Sequence, residues 1–316
     1  MKVLNFLSLS IITMVLLGAA HGATPSDAAP PRGIDDHSVV DTLALVLKEN
    51  VCHEAHADFW LDVANALNDI DANFFDNLRQ AWDERQEALA LAREQYTTRL
   101  EVWESLGSGL YDPKIEPADF STIIDNPYMP FVPGRTLVYE AQRAEGLERI
   151  EVSVLPDTVV VNGVECIAVQ EYEMLDGQLS EISTNWIAQH KSGDVWYFGE
   201  VSRIYEDGFL DSLGGSWRAG KDGAKPGIIM LGAPVNGRMY RQELLMNVAE
   251  DSAWVVAQNA TVTGPTGTYY NCVKTEEISP LEPEDDVQKA YAPGVGLVVE
   301  VDLQTGDRLE LVEIIN

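Results

Sequence analysis

The chain has 316 residues, 46% of them hydrophobic, enough to bury one or two full cores. It carries 51 acidic residues against 21 basic ones, a net charge of −30. That surplus excludes nucleic acid and docking on an anionic membrane, which both need Lys and Arg; it permits cations or a basic partner, and it also keeps a protein soluble.

The N-terminus reads as an export signal. Lys2 precedes an apolar run from Leu4 to Leu17, and Gly18-Ala19-Ala20 supplies the small-residue exit. Residues 1–22 are therefore expected to be a signal peptide and residues 23–33, with Pro25, Pro30 and Pro31, a flexible leader. No cysteine stands at the exit, so no lipid anchor is expected. No later stretch is long and apolar enough to cross a bilayer, so no transmembrane segment is expected after signal removal.

From Ile34 to Leu106 there is neither glycine nor proline, and Ala, Leu, Glu, Gln and Arg dominate. Such a composition predicts helix. Val39, Leu43, Val46, Leu47 and Val51 fall at helical spacing. Asn68-Asp69-Ile70-Asp71-Ala72-Asn73 is the expected break and re-cap. A second helix then runs from about Phe74 to Leu106, with Phe75, Leu78, Trp82, Leu89, Tyr96, Leu100 and Trp103 as its apolar stripe. Gly107 and Gly109 stop it.

After Tyr111 the texture changes to short β-branched runs between turn residues. Strands are predicted at 136–140, 149–155, 158–161, 165–172, 179–189, 194–200, 201–206, 238–249, 253–263, 267–278, 296–302 and 309–314. Asn162-Gly163, Asp176-Gly177, Ser192-Gly193, Asp207-Gly208 and Thr305-Gly306-Asp307 supply the tight turns that make neighbouring strands antiparallel. The expected fold is α+β: a helical hairpin or small bundle over residues 34–110, then a large antiparallel sheet over 120–316, either a sandwich or a half-open barrel.

Several residue groups are candidates for chemistry. Cys52, His53 and His56 crowd one turn of the first helix, and a thiolate with imidazoles suits copper or zinc. The bland alternative is a solvated helix surface. Cys166 and Cys272, both in strand-like segments, are the natural disulfide pair of an exported protein. Trp186, Trp196, Tyr197, Phe198, Trp217, Tyr240 and Trp254 could line a concave sheet face, or could simply fill its core. The glycine-rich stretch 214–227 adds Arg218, Lys221 and Lys225 to a chain short of bases and is the expected place for an anionic group. The acidic run 276–286 lacks the regular spacing of a calcium loop. Glu200, Glu243 and Asp251 could form a carboxylate pair, and His190 is the only histidine of the β part, but no nucleophile elbow is present. No catalytic residue is assigned.

Four segments carry a resemblance: Asp125–Gly134 with Asn126-Pro127-Tyr128, Asp194–Glu200 with Trp196-Tyr197-Phe198, Gly215–Ile228, and Tyr291–Val298 with Pro293-Gly294-Val295-Gly296. Together they resemble a group of uncharacterised exported bacterial proteins with a β-rich domain. The resemblance implies an envelope or secreted setting and carries no activity. The last segment also looks like the final strands of half-barrel envelope proteins related to lipoprotein carriers.

The expected function is that of an exported, non-catalytic protein binding an apolar or amphipathic ligand, or an envelope partner, through Trp186, Trp196, Tyr197, Trp217, Arg218 and Lys221. The alternatives are a periplasmic copper or zinc binder using Cys52, His53 and His56, and a hydrolase using Glu200 or His190.

Overall fold

The structure, a computed structural model, describes residues 36–316 except 69, 71, 72 and 108. The expected signal peptide and leader lie outside the described residues. The described chain forms two compact units, a helical one ending at Leu110 and a β one running from Tyr111 to Asn316.

The helical unit is a pair of 33-residue helices, α1 (Asp36–Asn68) and α2 (Phe74–Leu106). Among their buried side chains are Ala44, Ala55 and Ala66 on α1 and Ala81, Ala92 and Trp103 on α2. Both series repeat every eleven residues, which is three helical turns, so each falls on one stripe. Alanine at the contact lets two helices approach closely. The seam therefore uses small residues, and bulky ones expected on it stand outside: Val46, Phe75 and Trp82 are exposed.

The β unit begins with a short 3-10 turn at Pro117–Asp119 and continues as sixteen strands. These are β1 (Phe120–Ser121), β2 (Thr136–Arg143), β3 (Gly146–Val161), β4 (Val164–Leu175), β5 (Gln178–His190) and β6 (Val195–Glu206). There follow β7 (Phe209–Ser212), β8 (Trp217–Arg218), β9 (Lys225–Met230), β10 (Met239–Arg241) and β11 (Glu243–Leu244). The last five are β12 (Ser252–Gly264), β13 (Gly267–Ile278), β14 (Val287–Ala292), β15 (Gly296–Asp302) and β16 (Arg308–Ile315). They make one antiparallel sheet in the order β10-β12-β13-β14-β15-β16-β2-β3-β4-β5-β6-β9-β11, nearly closed and barrel-shaped. Most neighbours are hairpins. Asn162-Gly163, Asp176-Gly177 and Asp207-Gly208 all take positive φ at both positions, the backbone of the tight turns that suit twisted strands.

Several places differ from the sequence-based reading: residues 195–206 form one strand, β6, rather than two, and β1, β7, β8, β9 and β14 fall outside the predicted strands. Residues 149–161 form one long strand rather than two, with a register shift between Val154 and Thr158. Residues 238–249 are not one strand. They are β10 and β11, which occupy the two ends of the strand order and are separated in the chain by Gln242 alone. The sheet closes on itself at this corner. The backbone N–H groups of Gln242 and Glu243 both reach the Asp251 carbonyl, at 2.8 and 3.4 Å. Gly227 of β9 lies so close that a Cβ there would stand 2.3 Å from the Gln242 carbonyl group. Only glycine fits, because the obstacle is backbone.

The sheet buries side chains on both faces over β3–β6. One face packs Val164, Cys166, Ala168, Trp186 and Phe198. The other is the interior of the barrel. There Leu137, Tyr139 and Ala141 stand in register with Val152, Ile150 and Glu148.

Gly227→Ala is expected to lower the stability of the β unit by about 3 kcal/mol, the upper range for forcing extra atoms into a packed site, measured by denaturant unfolding against the unsubstituted chain.

Candidate functional site

The segment 125–135 crosses one mouth of the barrel as a strap. Asn126 ties it down: its amide nitrogen donates to the carbonyls of Gly193 (2.9 Å) and Leu231 (3.1 Å), and its Oδ1 accepts from the Tyr128 N–H. The Gln189 side chain accepts the backbone N–H groups of Asp125 and Asn126, both at 2.9 Å. The Gly294 N–H donates to the Pro127 carbonyl at 2.7 Å, fixing the strap to the β14–β15 turn. Two of the segments singled out in the sequence, Asp125–Gly134 and Tyr291–Val298, thus meet at the strap.

Beneath the strap lies a small apolar pocket of ≈ 30 Å³. Met129–Val132 form its roof; Leu137, Val152, Val154, Tyr291 and Leu297 line its walls. Arg135 is the one charged side chain in its lining. Its guanidinium donates to the Gly294 carbonyl at 3.3 Å, and its Nε–H is buried without an acceptor.

Further along the same interior the lining turns acidic. Tyr139 marks the transition, its hydroxyl donating to the Leu297 carbonyl at 3.0 Å. Ten carboxyl side chains of the β unit are buried: Glu148, Glu171, Glu173, Glu181, Glu200, Glu243, Glu250, Asp251, Glu277 and Glu300. The buried cations are Arg241 and Lys289, with the Arg143 guanidinium nearly so. Lys289 holds Glu277 at 2.6 Å and Glu300 at 3.5 Å. Arg143 holds Glu148 at 2.7 Å. The Glu181 carboxyl accepts the hydroxyls of Ser183 (2.5 Å) and Ser202 (2.6 Å). Asn185 donates to Glu171 at 3.0 Å and accepts from the Tyr197 hydroxyl at 2.6 Å.

Burial dominates the acid–base properties of this cluster, because a low-dielectric interior disfavours the charged form. It pushes Glu171 up to about 8, with the nearby Glu181 adding to the effect. It raises Asp251 and Glu300 to about 7, the first relieved by a hydrogen bond from Ser279 and the second by Lys289. Glu173 and Glu243 are driven well above the ordinary carboxyl range by burial, then by neighbouring acids. Burial also works against the Lys289 ammonium, but Glu277 and Glu300 outweigh it and hold its pKa above the ordinary value.

The six aromatic and basic side chains expected to bind ligand are placed elsewhere. Trp186 is buried on the outer face, with the Arg218 guanidinium 5.0 Å from its ring centre. Trp196 is half-buried, edge-on to Phe120 at 5.9 Å. Tyr197 and Trp217 pack edge-on at 5.2 Å and are both buried. Lys221 is exposed in the loop after β8. None of the six lines the pocket.

On α1, His56 has both ring nitrogens engaged. Nδ1 contacts the Cys52 carbonyl, and Nε2 lies 2.8 Å from an Arg85 nitrogen, which can only donate. His53 is exposed. Among the described residues no three His, Cys, Asp or Glu side chains are grouped to hold a metal ion.

The bridge expected between Cys166 and Cys272 is absent, and both thiols are free and buried. Cys166 is on β4 and Cys272 on β13, and the strands β14, β15, β16, β2 and β3 lie between them in the sheet. Burial pushes the Cys166 thiol up to about 12.

The residues considered for hydrolysis fare differently. Glu200, Glu243 and Asp251 are brought together, since Asp251 and Glu200 are the acids that most raise Glu243, but all three are buried. His190 sits in the β5–β6 hairpin with Nδ1 2.8 Å from the Ser192 hydroxyl. That hydroxyl donates to Asp194 at 2.7 Å, so its proton is committed to a turn contact.

The chain matches no family model and no curated protein. One solved structure, titled a "putative lipoprotein" from Parabacteroides distasonis ATCC 8503, is similar over 59% of this chain and 97% of that one, at 13% identity and a TM-score of 0.31. Among the described residues no helix is long and apolar enough to cross a membrane.

Thiol titration checks the cysteine assignment. Without reductant, Cys52 should react rapidly in the folded protein, and Cys166 and Cys272 only after denaturation; loss of the latter two signals would show a bridge.

Proposed function

We propose that this is an exported, non-catalytic binding protein whose barrel holds the apolar part of an amphipathic ligand beneath the strap. The observation that carries the reading is the make-up of the site: apolar walls and roof around a hollow of ≈ 30 Å³, with one buried, unpaired donor, Arg135 Nε–H, among them. The hollow as it stands has room for about one water-sized group, so an alkyl chain enters by displacing the strap Met129–Val132 from the walls. A buried donor without an acceptor is costly, and a ligand head that accepts hydrogen bonds, such as a carboxylate, would satisfy it. Apolar walls reward an alkyl chain at about 25 cal/mol per Å² removed from water. Export is supported by the charged start, apolar run and small-residue exit of residues 1–22. The aromatic set around Trp186 and Trp217 serves in this reading to stiffen the sheet that carries the pocket.

A fluorescent medium-chain fatty acid tests it. The intact protein should bind the probe saturably. Val154→Trp, which fills the pocket, should abolish binding, and Arg135→Gln should weaken it about tenfold, the effect of losing about 1.4 kcal/mol. Binding that neither substitution alters would overturn the proposal, as would no binding by a well-folded protein.

A further inference from the structure

Glu173 is the oddest side chain of the barrel. It is 1% exposed, and neither carboxyl oxygen has a hydrogen-bond partner. It stands in direct register with Glu181 on β5 and with Ile150 on β3. Like charges placed opposite each other across strands repel, and an unpaired carboxylate in such an interior costs several kcal/mol. The charges around it make matters worse. Its own strand brings Glu171, β3 brings Glu148, β5 brings Glu181 and β6 brings Glu200. The cations within the interior are already engaged: Arg143 by Glu148 and Lys289 by Glu277 and Glu300, while Arg241 lies beside Glu250. No metal-holding group is present among the described residues. The species that fits, being small enough and able to neutralise a lone carboxylate, is the proton.

We propose that Glu173, with the buried carboxyls Glu171, Asp251 and Glu300, is a proton store built into the barrel, protonated in the folded protein at acid pH, whose ionisation as the pH rises loosens the fold. The direction follows from linkage. An unfolded glutamate titrates near its ordinary 4.5, whereas burial first, and Glu181 second, carry Glu171 to about 8. Between those values the folded chain binds more protons than the unfolded one, so stability falls with rising pH. The contribution is full below the ordinary carboxyl value and is lost as the pH passes through about 7 for Asp251 and Glu300 and about 8 for Glu171. This is the reverse of ordinary acid denaturation, in which ionised, paired carboxylates are lost as the pH falls.

Thermal unfolding of the whole chain from about pH 5 to about pH 9 tests the proposal. The midpoint should fall steadily across that range, equally in sodium-, calcium- and chelator-containing buffers. Glu173→Gln, which copies the neutral acid, should flatten the fall and raise the midpoint near the alkaline end by about 3 °C or more. Infrared difference spectra of the unsubstituted protein give a readout that survives a folding failure of that variant. A protonated-carboxyl band should be present at neutral pH and disappear on alkaline titration. A midpoint that is flat or rises with pH would overturn the proposal. So would a midpoint rescued at high pH by a metal cation, or a neutral-pH spectrum without the protonated band.

Discussion

A closed antiparallel sheet turns every second side chain into a shared interior, and in this chain many of those positions are carboxylic acids. The low dielectric there leaves three ways to carry an acid: pair it with a cation, hydrogen-bond it, or keep its proton. All three are used. Lys289 sits between Glu277 and Glu300, Ser183 and Ser202 converge on Glu181, and Glu173 has neither kind of partner. The serines, Asn185 and Gln242 inside the barrel exist to satisfy these acids, since a half-satisfied polar network costs more than an apolar core.

The interior is graded rather than uniform. β3 carries the gradient in alternate residues: Val154 and Val152 line the apolar pocket, Ile150 faces Glu173, and Glu148 pairs with Arg143. Val152 of the pocket wall is the register partner of Glu171. A change at the acidic end is therefore felt at the pocket through adjacent backbone rather than through a distant relay. The strap closes the apolar end, held by Asn126 to two separate strand ends.

Much of this architecture is legible in the residues. The stretch without Gly or Pro is helical, and the Asn-Gly and Asp-Gly pairs turn where they should. Three features are not legible, for physical reasons. Glu171-Tyr172-Glu173 reads as a tyrosine facing the core between two solvated acids, yet Tyr172 is 39% exposed and both glutamates are 1% exposed. Register is set by the pairing of neighbouring strands, and no single-strand pattern reveals the inversion. Residues 287–292 fall outside the predicted strands, with Lys289 standing mid-strand; its burial makes sense only once Glu277 and Glu300 are beside it. The pocket escapes because its wall is assembled from four parts of the chain, and Arg135 looks like any surface base. The helix spacing of Cys52, His53 and His56 is legible, whereas the contact of the His56 ring with Arg85, 29 residues away, is not.

The closure of the sheet bears on how such a chain reaches its native state. Hairpins from β2 to β6 and from β12 to β16 join near neighbours and can form early. The corner at Gln242 is also local in the chain, β10 pairing with β12 and β11 with β9. One join is not: β16 against β2, where Ile315 meets Thr136. Loop-closure entropy makes such distant pairings slow. That join needs β16, Arg308–Ile315, so the barrel cannot shut before β16 has been made. A chain held open until β16 is in place keeps its acids hydrated while it waits.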